Sequence, residues 1–225
     1  MDEGWTRLVF DNFQIPYKSL SNEDFRQNRL DYDVIVLASD SENSIVNGLS
    51  GERYPAEFAG GIGDAGVENL KKFVENGGKL VCFDESCALA IKRFGLPVRN
   101  ALSGLKRSEF YNPGSVVKLS VDTRQPIASG LPEEMPAYFI NSSAFDIAAD
   151  ARVNVIARYA EKDALMSGWM LGEKYLNGKA ALVETAYGKG KIVMFAFRPQ
   201  HRGQTWGTFP FIFNALEKSL NRGEQ

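Results

Sequence analysis

The chain of 225 residues contains a single histidine, His201, and only two cysteines, Cys82 and Cys87. One histidine excludes a zinc site built on two or three histidines within this chain. Two cysteines, one inside an apolar run and one just after it, do not make a disulfide framework, so the compartment stays open on that count. No window approaches 18 continuous apolar residues, and no membrane span is expected. No charged-then-apolar leader opens the sequence, so no signal peptide is expected from it. The formal net charge is only −2. No basic tract with interleaved aromatics occurs, which argues against a nucleic-acid partner. No metal site and no cofactor are expected.

What is present suits one globular domain over residues 1–225, 44% hydrophobic and without repeats, low-complexity tracts or an evident linker. Asp2 to Phe10 reads as a helix with acids at its start and with Trp5, Leu8, Val9 and Phe13 on one face. "IPYKSL" reads as a short strand, and Ser21 as the N-cap of a helix with acids in its first turn. "DVIVLAS" is a continuous β-branched run, the pattern of a strand covered on both faces. Residues 40–63 read as a long polar loop. A helix over 64–76, with Asp64 as N-cap, ends at Asn76-Gly77-Gly78. "KLVCF" is a second buried strand, and "ESCALAIKRF" a helix stopped by Gly95 and Pro97. This alternation argues for a parallel sheet with helices on both faces. The second half turns to β: "SVVKLSV", "AYFI", "ARVNVIARYA" and a hairpin around Gly188-Lys189-Gly190. Thr208 is expected to cap a last helix with Pro210 in its first turn and with Phe211, Phe213, Leu216 and Leu220 following. A doubly wound sheet usually opens on a strand, whereas this chain opens on a helix. A first strand upstream of Met1 is therefore expected.

Gly61-Ile62-Gly63-Asp64-Ala65-Gly66 fits the dinucleotide pattern G-x-G-x-x-G, and Asp84 stands 18 residues after Gly66 at the end of an apolar run. That fingerprint needs a strand running straight into its first glycine, because the tight strand-to-helix turn aims the helix N-terminus at the pyrophosphate. "RYPAEFA" is a poor strand, and the nearest real one ends near Ser39, more than twenty residues earlier. The glycines are better read as letting backbone approach backbone before a helix.

Read together, the Gly-Gly loop after one strand, the abrupt turn from "KLVCF" into a helix, and the late "GKGKIVMFAFRPQHR" resemble the class I glutamine amidotransferase-like fold. The resemblance implies a flavodoxin-like parallel sheet of that type, with extra strands in the second half. It implies an oxyanion loop at Gly60, Gly61 and Gly63, and a nucleophile elbow at Asp84-Glu85-Ser86. It places the family's His-Pro-Glu triplet at Arg198-Pro199-Gln200. Every triad role is altered. Asp84 or Glu85 holds the nucleophile position, and Cys87 comes two or three residues too late. Arginine cannot act as a base near neutral pH, and Gln200 brings no carboxylate. In order, "MDEGWTR", "GGIGDAGVENLKKFVENGGKLV", "FGLPVRN", "NPGS", "SGWMLGE" and "FRPQHRGQTWGTFPFIFNAL" are similar to the domain that follows the catalytic domain in bacterial carboxypeptidase A-like zinc carboxypeptidases. That similarity implies an accessory domain without zinc ligands, partnered by a peptidase domain. It also implies export, hence a secreted or periplasmic setting, and supplies an upstream strand. An oligomer is also allowed.

Three functional readings follow. The first is a degenerate, non-catalytic amidotransferase-like accessory domain. The second is a hydrolase or amidase using a Cys87 thiolate activated by His201, or using Glu85 in a remodelled site. The third is a small-ligand module for an anion or sugar, built on Asp84, Glu85, Ser86, Arg198, Gln200, His201 and Arg202, since arginine offers a planar fork of donors. Against ligand binding stands a structural ion pair of Glu85 with Arg198. Against the thiol pair stands a core role for Cys87.

Overall fold

The computed structural model describes residues 1–55 and 59–217. Helix α1 spans Asp2–Asn12 and buries Thr6, Val9 and Phe10. Its buried face is turned from the expected one, because Leu8 and Phe13 are exposed. Helix α2, Asn22–Arg26, carries a capping box in which the Ser21 hydroxyl accepts from the Asp24 amide and the Asp24 carboxylate accepts from the Ser21 amide. The residues between these helices, expected as a strand, join no sheet. Among the described residues no backbone hydrogen bond is made by residues 16–20.

Strand β1, Val34–Leu37, pairs in parallel with β2, Lys79–Phe83. The supposed loop between them contains helix α3, Glu42–Asn47, which Ser41 caps through its hydroxyl. At six residues, with only Ile45 and Val46 apolar, it is too short to show an amphipathic period, which is why the sequence pattern conceals it. Helix α4 runs Gly63–Glu75 with Ile62 at the N-cap position. Asp64 lies inside its first turn rather than at the cap, and pairs with Arg93 at 3.1 Å.

Strand β2 is buried along its whole length. A single tight turn at Asp84–Ser86 leads from it into α5, Cys87–Arg93. The remaining strands are β3 (Val98–Asn100), β4 (Ser115–Val121), β5 (Glu134–Phe139), β6 (Phe145–Ile147), β7 (Val153–Tyr159), β8 (Leu165–Gly168), β9 (Ala180–Tyr187) and β10 (Gly190–Phe195). The main sheet has the order β1-β2-β10-β9-β7-β4-β5. Among the described strands only β1, β2 and β10 are mutually parallel. From the β9–β10 hairpin onward every pair is antiparallel. The fold is thus α/β, with a short parallel sheet extended by the antiparallel strands of the second half.

Helix α6, Phe209–Leu216, closes one face with Phe209, Phe211 and Ile212 buried; Phe213 and Leu216 pack at the core's margin, and Leu220 lies outside the described residues. Thr208 holds its N-cap position as expected, but its hydroxyl donates to the carbonyls of Pro199 at 2.6 Å and Thr205 at 2.9 Å rather than accepting from a helix amide. Lys79, at the start of β2, sends its ammonium to the carbonyls of Ala215 and Glu217 at the end of α6. A cation there complements the helix dipole and ties sheet to helix.

No strand runs into the Gly61 motif; the chain reaches it through an isolated bridge of Gly60 with Leu49. Gly61 lies against α3, where an added Cβ would stand 2.4 Å from the Ile45 carbonyl oxygen. The Ile62 amide donates to that same carbonyl at 2.9 Å. Gly63 is needed for a different reason, its φ of +65°. Gly61→Ala should therefore cost about 2 kcal/mol and lower Tm by about 4–8 °C. Gly63→Ala, with open space around it, should cost about 1–2 kcal/mol from backbone strain alone. Thermal unfolding of the two variants checks both values.

Candidate functional site

The site is built where β2 and β10 end on the same side of the sheet. Phe83 leaves β2 in extended conformation, and Asp84 then takes φ = +50°. A non-glycine residue in that region is strained, and such strain marks a place where surrounding structure dictates the backbone. Ser86 fixes the turn: its hydroxyl lies 2.9 Å from the Phe83 carbonyl and 3.0 Å from the Leu37 carbonyl. The Glu85 amide faces the Ser39 hydroxyl at 3.4 Å, so the turn also leans on the end of β1.

Arg198 follows β10 and crosses above this turn. Its Nη1 lies 2.5 Å from Asp84 Oδ2, its Nε 3.2 Å from Asp2 Oδ1, and its Nη2 3.5 Å from Glu85 Oε1. Nη1 also donates to the Ile140 carbonyl at 2.9 Å. The Asp84 side chain has no exposed surface, whereas that of Glu85 is 47% exposed. The Ser142 hydroxyl donates to Asp84 Oδ2 at 3.2 Å, while buried Oδ1 has no hydrogen-bond partner. Burial pushes the Asp84 carboxyl up to about 8, against the opposing pull of Arg198. Desolvation exceeds the Coulombic gain from Arg198, as buried pairs commonly show.

The other predicted residues divide around this cluster. Gln200 is buried; its Nε2 donates to Thr6 Oγ1 at 3.0 Å, binding the segment after β10 to α1. His201 stacks on Tyr138 with ring centroids 4.3 Å apart. Burial, followed by the nearby Arg198 charge, lowers its pKa. Arg202, with φ = +52°, sits in the turn after it. Cys87 faces inward, with Sγ 3.2 Å from the Phe195 carbonyl oxygen and 3.4 Å from that of Cys82. Burial raises its thiol well above the ordinary range and that of Cys82 to about 12. Among the described residues no hydrogen bond joins Cys87 to His201. Gly60 and Gly61 use their carbonyls on Asn22 and Arg26, at 3.0 and 2.6 Å. No hydrogen bond or ion pair links them, or Gly63, to Asp84 or Glu85 among the described residues.

Asp2, Thr6, Ile140 and Ser142 complete the cluster without having been singled out in the sequence. Asn141, with φ = +46°, turns the chain between the Ile140 carbonyl and the Ser142 hydroxyl. An Asn in a short polar break after "AYFI" is the one local sign of that turn. Among the described residues no group of three or more His, Cys, Asp or Glu is placed to hold a metal ion, and no helix is long and apolar enough to cross a membrane. A cavity of about 580 Å³ beside β1 is lined by Asp2 and Ser39 of this cluster, though not by Asp84 or Arg198. The arrangement offers a buried carboxyl held beside a guanidinium, with the half-exposed Glu85 carboxylate at its rim.

No family model and no curated protein matches the chain. Solved structures do. Cytoplasmic protein STM1381 of Salmonella typhimurium LT2 superposes with a TM-score of 0.58 at 14% identity, over 97% of this chain and 88% of that one. A Thermoplasma acidophilum protein assigned to GMP synthase gives 0.55 at 15% identity, over 94% and 84%. A protein from Bacteroides uniformis assigned as ThuA-like gives 0.53 at 13% identity, over 95% and 80%. These likenesses establish the fold: it is of the class I glutamine amidotransferase-like type.

The Asp84 carboxyl makes stability depend on pH. Its folded pKa of about 8 lies above the unfolded value of about 3.9, so the folded chain holds the extra proton between these limits. Stability from this group is therefore present below pH of about 4 and is lost as pH rises through about 8. Asp84→Asn removes the titration, so the Tm of the variant minus that of the native chain should become more positive from pH 5 to pH 9. Thermal unfolding at several pH values checks this, and a gap that stays level contradicts it.

Proposed function

We propose that this chain is a glutamine amidotransferase-like domain without catalytic activity, serving as an accessory module to a zinc carboxypeptidase. One observation carries the non-catalytic reading: at the strained turn after β2, where the resembled fold carries its nucleophile, Asp84 is shut from solvent and clamped by Arg198. A nucleophile must meet its substrate and a base must lie within hydrogen-bond reach of it. Here the residue opposite Asp84 is a permanent cation, and Gln200 is engaged with Thr6. The thiol reading is disfavoured by the same geometry, since Cys87 is buried among carbonyls. Anion binding is disfavoured because Arg198 already faces the three carboxyl groups of Asp2, Asp84 and Glu85. The assignment of a zinc carboxypeptidase as the partner rests on the ordered sequence similarities from "MDEGWTR" to "FRPQHRGQTWGTFPFIFNAL".

Two measurements test this reading. Incubated with glutamine, the protein should release ammonia no faster than buffer does. Turnover abolished by Cys87→Ala or Asp84→Asn would overturn the non-catalytic assignment. Native Cys82 and Cys87 should resist a thiol-alkylating reagent and react only after unfolding, as expected of buried thiols with raised pKa. For the partner, titration against the catalytic domain of a bacterial zinc carboxypeptidase should give saturable binding, and an absence of binding at high micromolar concentration would remove that assignment.

A further inference from the structure

We propose that Arg107, Tyr111, Trp169 and Leu171 form a docking surface for a partner protein's peptide segment in which acidic residues flank an aromatic one. The surface is made by the chain before β4 and the chain after β8, away from the Asp84 cluster. The proposal goes beyond the accessory role and does not depend on it.

The surface stands on a fixed backbone. Tyr111 and Leu171 exchange both of their backbone hydrogen bonds, at 3.1 and 2.9 Å. Residues paired in this way present their side chains on one face. The Trp169 ring joins that face and meets the Tyr111 ring edge-on, with centroids 5.8 Å apart. Ser115 of β4 pins the Trp169 backbone: its hydroxyl donates to the Trp169 carbonyl at 2.7 Å and accepts from the Trp169 amide at 3.2 Å. Gly172 closes the loop against the other chain segment, since an added Cβ there would stand 2.0 Å from the Glu109 carbonyl oxygen.

The side chains on this backbone are open to solvent. Trp169 is 53% exposed and Leu171 39%. Among the described residues Tyr111 is the one ring that meets Trp169. Trp206 is also exposed, but it stacks on Phe209 and meets Phe13, so it roofs an aromatic cluster of its own. An indole held by its backbone and left bare is a preorganised anchor, which loses little freedom when a partner covers it. Trp, Tyr and Arg are the side chains that dominate binding energy at protein interfaces.

Charge selects the occupant. The Arg107 guanidinium lies over the Tyr111 ring, 4.0 Å from its centroid. Lys174 lies over Tyr175 at 5.0 Å, and Tyr175 packs at Gly172, next to Leu171. Neither cation has a carboxylate partner among the described residues. The acids of these segments are engaged internally: Glu109 accepts from the Lys106 amide, and Glu173 from the amides of Ala164 and Leu165. A guanidinium flat on a ring keeps its N–H edge outward, the geometry that takes a carboxylate through two parallel bonds. An aromatic anchor beside unpaired cations therefore complements an acidic segment that carries a ring. A nucleic-acid strand suits it less, because such a strand needs a track of cations along its phosphates and this chain has a net charge of −2.

The probe is a random copolymer of glutamate and tyrosine, which samples many spacings of acid and ring. The fluorescence anisotropy of the labelled copolymer is followed as the full chain is titrated in. Binding should saturate and be about tenfold tighter, or more, than binding of polyglutamate or of a lysine–tyrosine copolymer. Arg107→Glu and Trp169→Ala should each weaken it about tenfold or more, whereas Trp206→Ala should change it by less than about twofold. Thermal unfolding shows that each variant is folded. Arg107→Glu alters an exposed side chain, so it keeps the test decisive if Trp169→Ala does not fold. An absence of saturable binding would overturn the proposal, as would either control polymer binding as tightly. So would binding that ignores Arg107→Glu, or tighter binding of oligo(dT), which would assign the surface to a nucleic-acid strand.

Discussion

The contact between Arg198 and Asp84 is the constraint on which this end of the molecule depends. It joins the turn after β2 to the segment after β10, two neighbouring parallel strands. Through Asp2 the same guanidinium holds the start of α1, and through the Ile140 carbonyl and Ser142 the cluster reaches the chain that follows β5. An arginine suits this position because its planar fork addresses several acceptors at once, which a lysine point charge does not. The cost is a carboxyl with one buried oxygen unpartnered and a backbone residue in the left-handed region. Such costs persist only where the surrounding contacts over-determine the conformation, and here Ser86, Ser142 and Arg198 do so.

A nucleophile elbow and a structural clamp need the same backbone and differ in what faces the side chain. An elbow must leave its residue open to a substrate and supply a base. This turn sets its residue, buried, against a cation. The strained geometry gathers four separate parts of the chain: the turn after β2, the segment after β10, the start of α1 and the chain after β5. The helix-capping contact of Lys79 with α6 repeats the principle at the opposite end of β2. Together the two contacts anchor both ends of the most buried strand. The other side of the parallel sheet lacks such closure, since β1 meets a cavity where a covered strand would meet a neighbour.

Much of this was legible in the sequence, for identifiable reasons. Continuous apolar runs marked β1, β2 and β10, and the glycine-lysine-glycine turn marked the last hairpin, because these signals are local. Ser21 could be read as a cap since capping depends on the next three residues alone. The sign that Asp84 marks the turn lay in its place at the end of "KLVCF". Its burial and its pairing with Arg198 were not legible, because they depend on residues 114 positions apart. The expected pairing of Glu85 with Arg198 is present at 3.5 Å, but the backbone turns Asp84 inward to make the closer contact at 2.5 Å. "IPYKSL" failed as a strand for another physical reason: a strand is defined by its neighbour, and propensity supplies none. Helix α3 escaped notice because six residues are too few to show a period, and the start of α4 because Ile62 at its N-cap makes no side-chain capping bond.

A double-mutant cycle at pH 9, with Asp84→Asn and Arg198→Met made singly and together, tests most directly whether this contact is the structural clamp described. At that pH the Asp84 carboxyl is ionised even with its raised pKa. Chemical denaturation of the four proteins should yield a coupling free energy of about 2–3 kcal/mol, the upper part of the range for groups that share one network. Stabilities that add to within about 0.5 kcal/mol would show that the two residues act independently. The account of the turn after β2 as a closed ion-paired clamp would then be contradicted.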